Sequence, residues 1–181
     1  MMSLNVSEAL IHFFEMKPEL ATEIANRFKL QTISKGTPII KQGELVTKLY
    51  FLESGLLRIF INTEAKEVTQ WISTPGYFLT EIGALYGKKP SRWSLEALKD
   101  AQVWSIGIDS LTQLEIDFPE WVKYERAFLV KCFETIENRV FSHLALSAEE
   151  RYNQFLLFAP ELFNEVPLKY LASLLGMTPE T

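Results

Sequence analysis

The side chains whose types and spacing best suit a defined chemistry lie between Val166 and Thr181, and that chemistry is hydrogen bonding to nucleic acid. Leu168, Leu171, Ala172 and Leu175 repeat at three and four, the period of a helix with one buried face, and Gly176 follows as a residue that takes positive φ at a helix end. Thr178 can then accept a backbone N–H as the cap of a new helix. Pro179 would stand at its first position, where a missing donor costs nothing, and Glu180 in its first turn near the positive dipole end. A helix, a glycine turn and a capped second helix match the geometry in which the second helix enters a DNA major groove. An ordinary corner between two helices has the same pattern, and these residues alone leave both readings open.

Other chemistry is excluded by scarcity. One cysteine, Cys132, forms no internal disulfide, and together with two histidines, His12 and His143, it cannot supply a four-ligand zinc site or hold an iron–sulfur cluster. No metal or other cofactor is expected. The net charge of −5 is the opposite of a phosphate-neutralising footprint, and Glu149, Glu150, Glu161, Glu165 and Glu180 outnumber Arg151 and Lys169 after residue 147. This counts against DNA binding by the residues present. A 48% hydrophobic content is enough for a real core. Charged residues interrupt every apolar run before the roughly 18 residues of a membrane span, and the first residues lack a signal-peptide pattern. A cytoplasmic protein without membrane contact is expected.

The elements that must position these residues fall into three regions. Ser7 to Phe28 reads as helical, broken near Pro18. From Leu30 to about Ile108, runs beginning at Pro38, Lys48, Leu56, Glu67, Trp93 and Ala101 are β-branched or aromatic and bounded by Gly or Pro, so six or more strands in an antiparallel barrel or jelly roll are expected. Asp109 to Leu146 has almost no Gly and only Pro119, and Leu129, Phe133, Ile136, Val140 and then His143 or Leu144 form a seam of roughly 3.5-residue period. Such a helix pairs with its copy through Leu129, Phe133, Ile136 and Val140, while Phe128 and Phe141 face the β domain; a single amphipathic helix lying on the barrel is the alternative. Ser147 can cap a further helix with Glu149 and Glu150 in its first turn. The expected domains are a β-roll over 1–112, a dimerisation helix over 113–147 and a helix-turn-helix over 148–181.

This order of parts resembles the Crp/Fnr family of bacterial transcription regulators. The resemblance is carried by Lys35-Gly36, Gly43-Glu44, Leu49-Tyr50-Phe51-Leu52, Gly55-Leu56-Leu57-Arg58 and Pro75-Gly76-Tyr77-Phe78-Leu79-Thr80-Glu81-Ile82. It implies an α+β fold: an antiparallel β-roll (a double-stranded β-helix or jelly roll) flanked by helices, a long dimerisation helix and a partial winged helix-turn-helix. It also implies a homodimer that binds DNA, responds to a small effector and contacts RNA polymerase. The family's phosphate-binding cassette opens with Gly-Glu, whose carboxylate accepts from a ribose hydroxyl, and closes with Arg-Ser, whose guanidinium pairs with a cyclic phosphate. Here Thr80-Glu81-Ile82 and Ser91-Arg92 stand in its place, with Arg92 displaced by about one residue, which along a strand turns a side chain to the opposite face.

Several readings of the cassette follow. Glu81 either meets a ligand or caps a short helix over 82–86, and Arg92 reads as a solvated strand residue. Ile136 and Glu137 stand where cyclic-AMP-responsive members offer hydroxyls. The expected effector is therefore unknown, with cyclic AMP disfavoured. Trp71, Trp93, Trp104 and Tyr77 either line a pocket or fill a core, and Cys132 reads as a small buried thiol.

By the same resemblance Thr178 and Thr181 contact DNA phosphates and Glu180 accepts from a cytosine amino group. Pro179 departs from the family's arginine, so the operator preference should differ. The recognition helix is expected to continue past Thr181, and the residues given to bind DNA weakly or not at all. Two other classes remain. A Crp-like β-roll could serve as a regulatory or interaction module without DNA binding, and a barrel of this size could be a metal-dependent enzyme, although neither histidine falls on an expected strand.

Overall fold

The computed structural model describes residues 5–178. Helix α1 (Val6–Phe14) is closed at its start by a reciprocal box, Asn5 Oδ1 accepting from the Glu8 N–H at 3.0 Å and Glu8 Oε2 accepting from the Asn5 N–H at 2.9 Å. The break expected near Pro18 is a restart, with Pro18 in the first turn of α2 (Pro18–Ala25). The apolar faces of both helices enter the main core through Leu10, Leu20 and Ile24.

Eight strands follow: β1 (Lys29–Ile33), β2 (Pro38–Ile40), β3 (Lys48–Ser54), β4 (Leu57–Asn62), β5 (Glu67–Ser73), β6 (Phe78–Leu79), β7 (Ser94–Ala97) and β8 (Ala101–Gly107). They form two antiparallel sheets, β1-β8-β3-β6 and β2-β7-β4-β5, which close the expected roll. All six expected runs are strands. The two additional ones have weak patterns for a physical reason: β1 pairs only with β8 and is largely exposed, and β6 is two residues long. Between β5 and β7 lies the short helix α3 (Ile82–Gly87).

One turn in the roll admits only glycine. Gly55 has φ +95°, and a Cβ there would lie 2.5 Å from the Asp100 carbonyl oxygen and 2.7 Å from Ala101 Cα, so the β3–β4 turn is pressed against the β7–β8 turn. Gly43, at φ +88°, has nothing within 4 Å of the same position.

The pairing of β4 with β5 contains a bulge. Ile59 faces Trp71 and Phe60 faces Thr69, so Gln70 is an extra residue on β5. Either side of it the two faces of the sheet are distinct. Arg58, Phe60, Thr69 and Ile72 share the outer face, while Ile59, Gln70, Trp71 and Ser73 line space inside the roll.

The long helical region is two helices, α4 (Ile108–Asp117) and α5 (Trp121–Ala145), rather than one. Residues 118–120 interrupt it, as a proline at 119 dictates by withholding a donor and biasing Phe118 to extended backbone. Position 113 lies within α4. On α5, Trp121, Tyr124 and Phe128 pack on the roll, and Cys132, Thr135 and Arg139 continue that stripe along the cavities described below. Phe141 does not join it: it is 64% exposed, a correction to its expected place against the β domain, because the helical step from Phe128 carries the inward stripe through 135 and 139. Leu129, Phe133, Ile136 and Val140 are also exposed, Phe133 by 67%, so the seam is largely uncovered among the described residues.

Leu146 is extended, and Ser147 caps α6 (Ala148–Phe158) through the expected box, Ser147 Oγ accepting from the Glu150 N–H and Glu150 accepting from the Ser147 N–H at 2.8 Å. These hydrogen bonds hold the Glu150 carboxyl below its ordinary range. Helices α7 (Leu162–Glu165) and α8 (Leu168–Leu175) follow, and Gly176 closes α8 at φ +67°. Leu162, Leu171 and Leu174 are buried with Leu56 and Ile72, so the terminal helices share their core with the outer face of the second sheet.

Arg58 anchors this contact. It is 1% exposed, donates to Thr69 Oγ1 at 3.0 Å, Glu67 at 2.7 Å and Glu96 at 3.2 Å, and lies 3.6 Å from the centre of the Tyr170 ring. Ser173 Oγ accepts from the Thr69 N–H at 2.8 Å, and Lys99 pairs with Glu165 at 2.9 Å.

Two stability outcomes are expected. Gly55→Ala should cost about 2–4 kcal/mol, since left-handed strain and overpacking add, whereas Gly43→Ala should cost only about 1–2 kcal/mol; denaturant unfolding compares them, and equal losses would mean that the turn yields freely. Arg58→Met should cost about 3 kcal/mol and raise amide exchange in α8 above that in β3. Unchanged exchange in α8 would show that Arg58 does not hold it.

Candidate functional site

Two adjoining cavities, of about 160 and 220 Å³, lie between the inner face of the second sheet, the segment leading into α3 and the inward stripe of α5. Ile59, Gln70, Thr80, Ile82 and Ile136 line both. The β5 bulge is what lets Gln70 and Trp71, adjacent in sequence, face the same space.

The first cavity is largely apolar, walled by Trp71, Tyr77 and Phe128, with the Trp71 and Tyr77 rings edge to face at 6.3 Å. Two buried polar atoms of residues in its wall, Ser73 Oγ and Arg139 Nη1, have no hydrogen-bond partner among the described residues. Arg139 Nη2 donates to the Leu174 carbonyl at 2.8 Å and reaches the Thr69 carbonyl at 3.5 Å, so one guanidinium touches the cavity wall, β5 and the end of α8. Burial pulls Arg139 down to about 10, which leaves it charged at neutral pH. Cys132 is half-buried in the same wall, and burial pushes its thiol up to about 11, so it is a protonated packing group there.

The second cavity holds Glu81, Gly83, Trp93 and Leu95. The expected cassette residues come together only in part. Thr80 and Ile82 line both cavities, but the Thr80 hydroxyl donates to the Lys48 carbonyl at 2.9 Å. Glu81 occupies the capping position of α3 without a side-chain cap, a correction to the capping alternative; its carboxylate instead accepts from the Arg92 N–H at 3.1 Å. Arg92 is exposed and lines neither cavity. It also lies in a bend before β7 rather than on a strand, so its outward direction comes from that bend. Ser91 is buried, but its hydroxyl donates to the Trp93 carbonyl at 2.6 Å and is thereby occupied within its own turn.

Of the aromatic cluster, Trp71 and Tyr77 wall the first cavity and Trp93 the second, whereas Trp104 packs on the main core and donates to Glu53. Arg139, Gln70 and Ser73 were not marked by sequence reasoning. The signal for Arg139 was available in its spacing from Phe128, Cys132 and Thr135, the stripe opposite the seam. The bulge that brings in Gln70 has no sequence signature.

A cyclic nucleotide does not fit these residues in the family's usual manner. Its phosphate needs a cation at the cassette, whereas the charged residue lining the second cavity is Glu81, with Lys89 Nζ near Gly83 beside that carboxylate rather than in the lining; Ile136 brings no hydroxyl. Among the described residues no three His, Cys, Asp or Glu side chains gather to hold a metal, and no helix is long and apolar enough to cross a membrane. Thr178 is exposed just beyond the Gly176 turn, and the other expected DNA contacts, Glu180 and Thr181, lie outside the described residues.

Comparison with known proteins gives the same architecture. Residues 30–115 match the family described as cyclic nucleotide-binding domain. No curated protein matches the chain in sequence. Among solved structures, FixK2 from Bradyrhizobium japonicum is 18% identical with a TM-score of 0.73, covering 84% of this chain and 79% of that one. The catabolite activator protein of Thermus thermophilus is 22% identical with a TM-score of 0.64, covering 95% and 82%. The c-di-GMP responsive global regulator CLP of Xanthomonas campestris is 15% identical with a TM-score of 0.69, covering 91% and 87%. Residues 30–115 therefore resemble a cyclic nucleotide-binding domain, and the chain shares its fold with FixK2, the catabolite activator protein and CLP.

Proposed function

We propose that the protein is a homodimeric, sequence-specific DNA-binding transcription regulator whose β-roll senses a small effector other than cyclic AMP. The observation that carries this reading is the order of an effector-type roll, a long helix with an unpartnered apolar seam, and a helix-and-glycine corner formed by α8 and Gly176. Leu129, Phe133, Ile136 and Val140 present that seam to a second copy, and burying them removes apolar surface from water. Two α8 corners related by the dimer axis would set two reading helices in successive major grooves about one DNA turn apart. Thr178, Glu180 and Thr181 are the proposed DNA contacts, the last two outside the described residues.

In the arrangement described, α8 rests on β5 and Arg58, so the reading head is held against the sensor. An effector changes DNA affinity only by binding one arrangement of head and sensor better than another. Names of proteins with this fold, a catabolite activator and a c-di-GMP responsive global regulator, accord with a regulator but assign no effector to this chain.

Three measurements test the reading. Light scattering should give a dimer for the unaltered protein and a monomer for Phe133→Glu, a substitution at an exposed position that leaves the fold intact; a monomer without substitution would remove the seam from the interface. Protein expressed from its whole reading frame, selected against random duplexes, should enrich paired half-sites about 10 base pairs apart. No enriched motif, with the dimer intact, would favour a roll acting through protein contacts. Titration with cyclic AMP should show no saturable binding at micromolar concentrations, and tight binding would overturn the effector assignment.

A further inference from the structure

We propose that the first cavity binds a small aromatic carboxylate, its ring against Trp71, Tyr77 and Phe128 and its carboxylate on the guanidinium of Arg139. The inference rests on the reading of the roll as an effector sensor and gives that effector a chemical class.

Two arginines make the argument, Arg58 fully buried and Arg139 half-buried with its Nη1 enclosed. Arg58 is neutralised, with Glu67 and Glu96 both within ion-pair distance. Arg139 has no carboxylate partner among the described residues; its bonds go to the Thr69 and Leu174 carbonyls, and its Nη1 is buried without any. A buried cation with an unfilled donor is costly unless an anion completes it. Ser73 Oγ, the other unpartnered atom of a residue in the same wall, is a hydroxyl donor that a small shift of the wall would offer to the same carboxylate.

Size and lining select the rest of the ligand. A dry cavity of about 150 Å³ accepts one benzene ring, and this one measures about 160 Å³ with an aromatic wall. Orientation follows from charge. Glu81 lines the adjoining cavity, so an anionic group is disfavoured there and favoured beside Arg139. Arg139 Nη2 holds the last turn of α8 through the Leu174 carbonyl, and a carboxylate on Nη1 draws the whole guanidinium toward the cavity and away from that carbonyl, since charged acceptors bind it more strongly. Occupation of the cavity would therefore loosen α8 from β5.

The test uses benzoate, its uncharged isostere benzamide and cyclic AMP, titrated into the unaltered protein by calorimetry, with Trp71 followed by indole NMR. Benzoate should bind saturably, one per chain, and benzamide at least about tenfold more weakly, the loss expected for a charged hydrogen bond. Arg139→Gln should lose the same factor and Arg139→Lys should recover part of it, while amide exchange in α8 should rise on adding benzoate. Equal affinity for benzoate and benzamide would overturn the assignment without recourse to any variant, as would no binding of benzoate. Cyclic AMP in the same series separates the two levels: benzoate silent with cyclic AMP silent removes the ligand class alone, whereas tight cyclic AMP binding removes the effector reading beneath it.

Discussion

The buried guanidinium of Arg58 joins three strands and a terminal helix at one point. It ties β4 to β5 through Glu67 and Thr69, to β7 through Glu96, and to α8 through the face of Tyr170. Removing a guanidinium from water is expensive, and the cost is met only because carboxylates on two neighbouring strands and an aromatic face enclose it together. The partners are half-exposed at most, so the cluster lies at a boundary between sheet and helix rather than deep in either. A terminal helix that packs on β5 must also complete this cluster. The contact between the second sheet and the terminal helices is thus polar at its centre and apolar around it, through Leu56, Ile72, Leu171 and Leu174. Such an interface is specific in register, because sliding it by one turn would strand the charge.

Arg139 has the opposite character. It belongs to α5, meets the cavity wall and the end of α8, and lacks the carboxylates that make Arg58 inert. The described residues therefore hold one neutralised guanidinium, Arg58, and one without a carboxylate partner, Arg139. The first gives the sheet a stable face for the helices, and the second is the cation on which the proposed ligand site rests.

Much of the architecture was legible in the sequence where chemistry forces the backbone. Pro18 and Pro119 mark interruptions, Gly55 and Gly176 take positive φ, and Ser147 with Glu150 starts a helix. The stripe Leu129, Phe133, Ile136 and Val140 was legible as one exposed face of a long helix. What was hidden depends on tertiary contact. β1 is an edge strand with a polar face, so its alternation is faint. Phe141 is apolar, and nothing local distinguishes a side chain facing the roll from one facing solvent or a second copy. Glu81 stands at a helix start, yet its carboxylate turns to the Arg92 backbone across a loop. Arg139 reads as a surface charge until the sheet and α8 are placed around it.

The extra residue at Gln70 carries a consequence for how such a protein can change. On β5 the residues before the bulge and those after it are out of phase by one, which is what sends Thr69 and Ile72 to the helices and Gln70, Trp71 and Ser73 to the cavity. Substitution at any one of these positions alters one contact. Loss or gain of a single residue between Glu67 and Ser73 would exchange the two sets, turning cavity side chains toward α8 and helix-bearing ones inward. The cavity lining and the packing of the terminal helices would then fail in one mutational step. The segment is free to drift in side chain but held to a constant length, a constraint written in the count of its residues rather than in their identities.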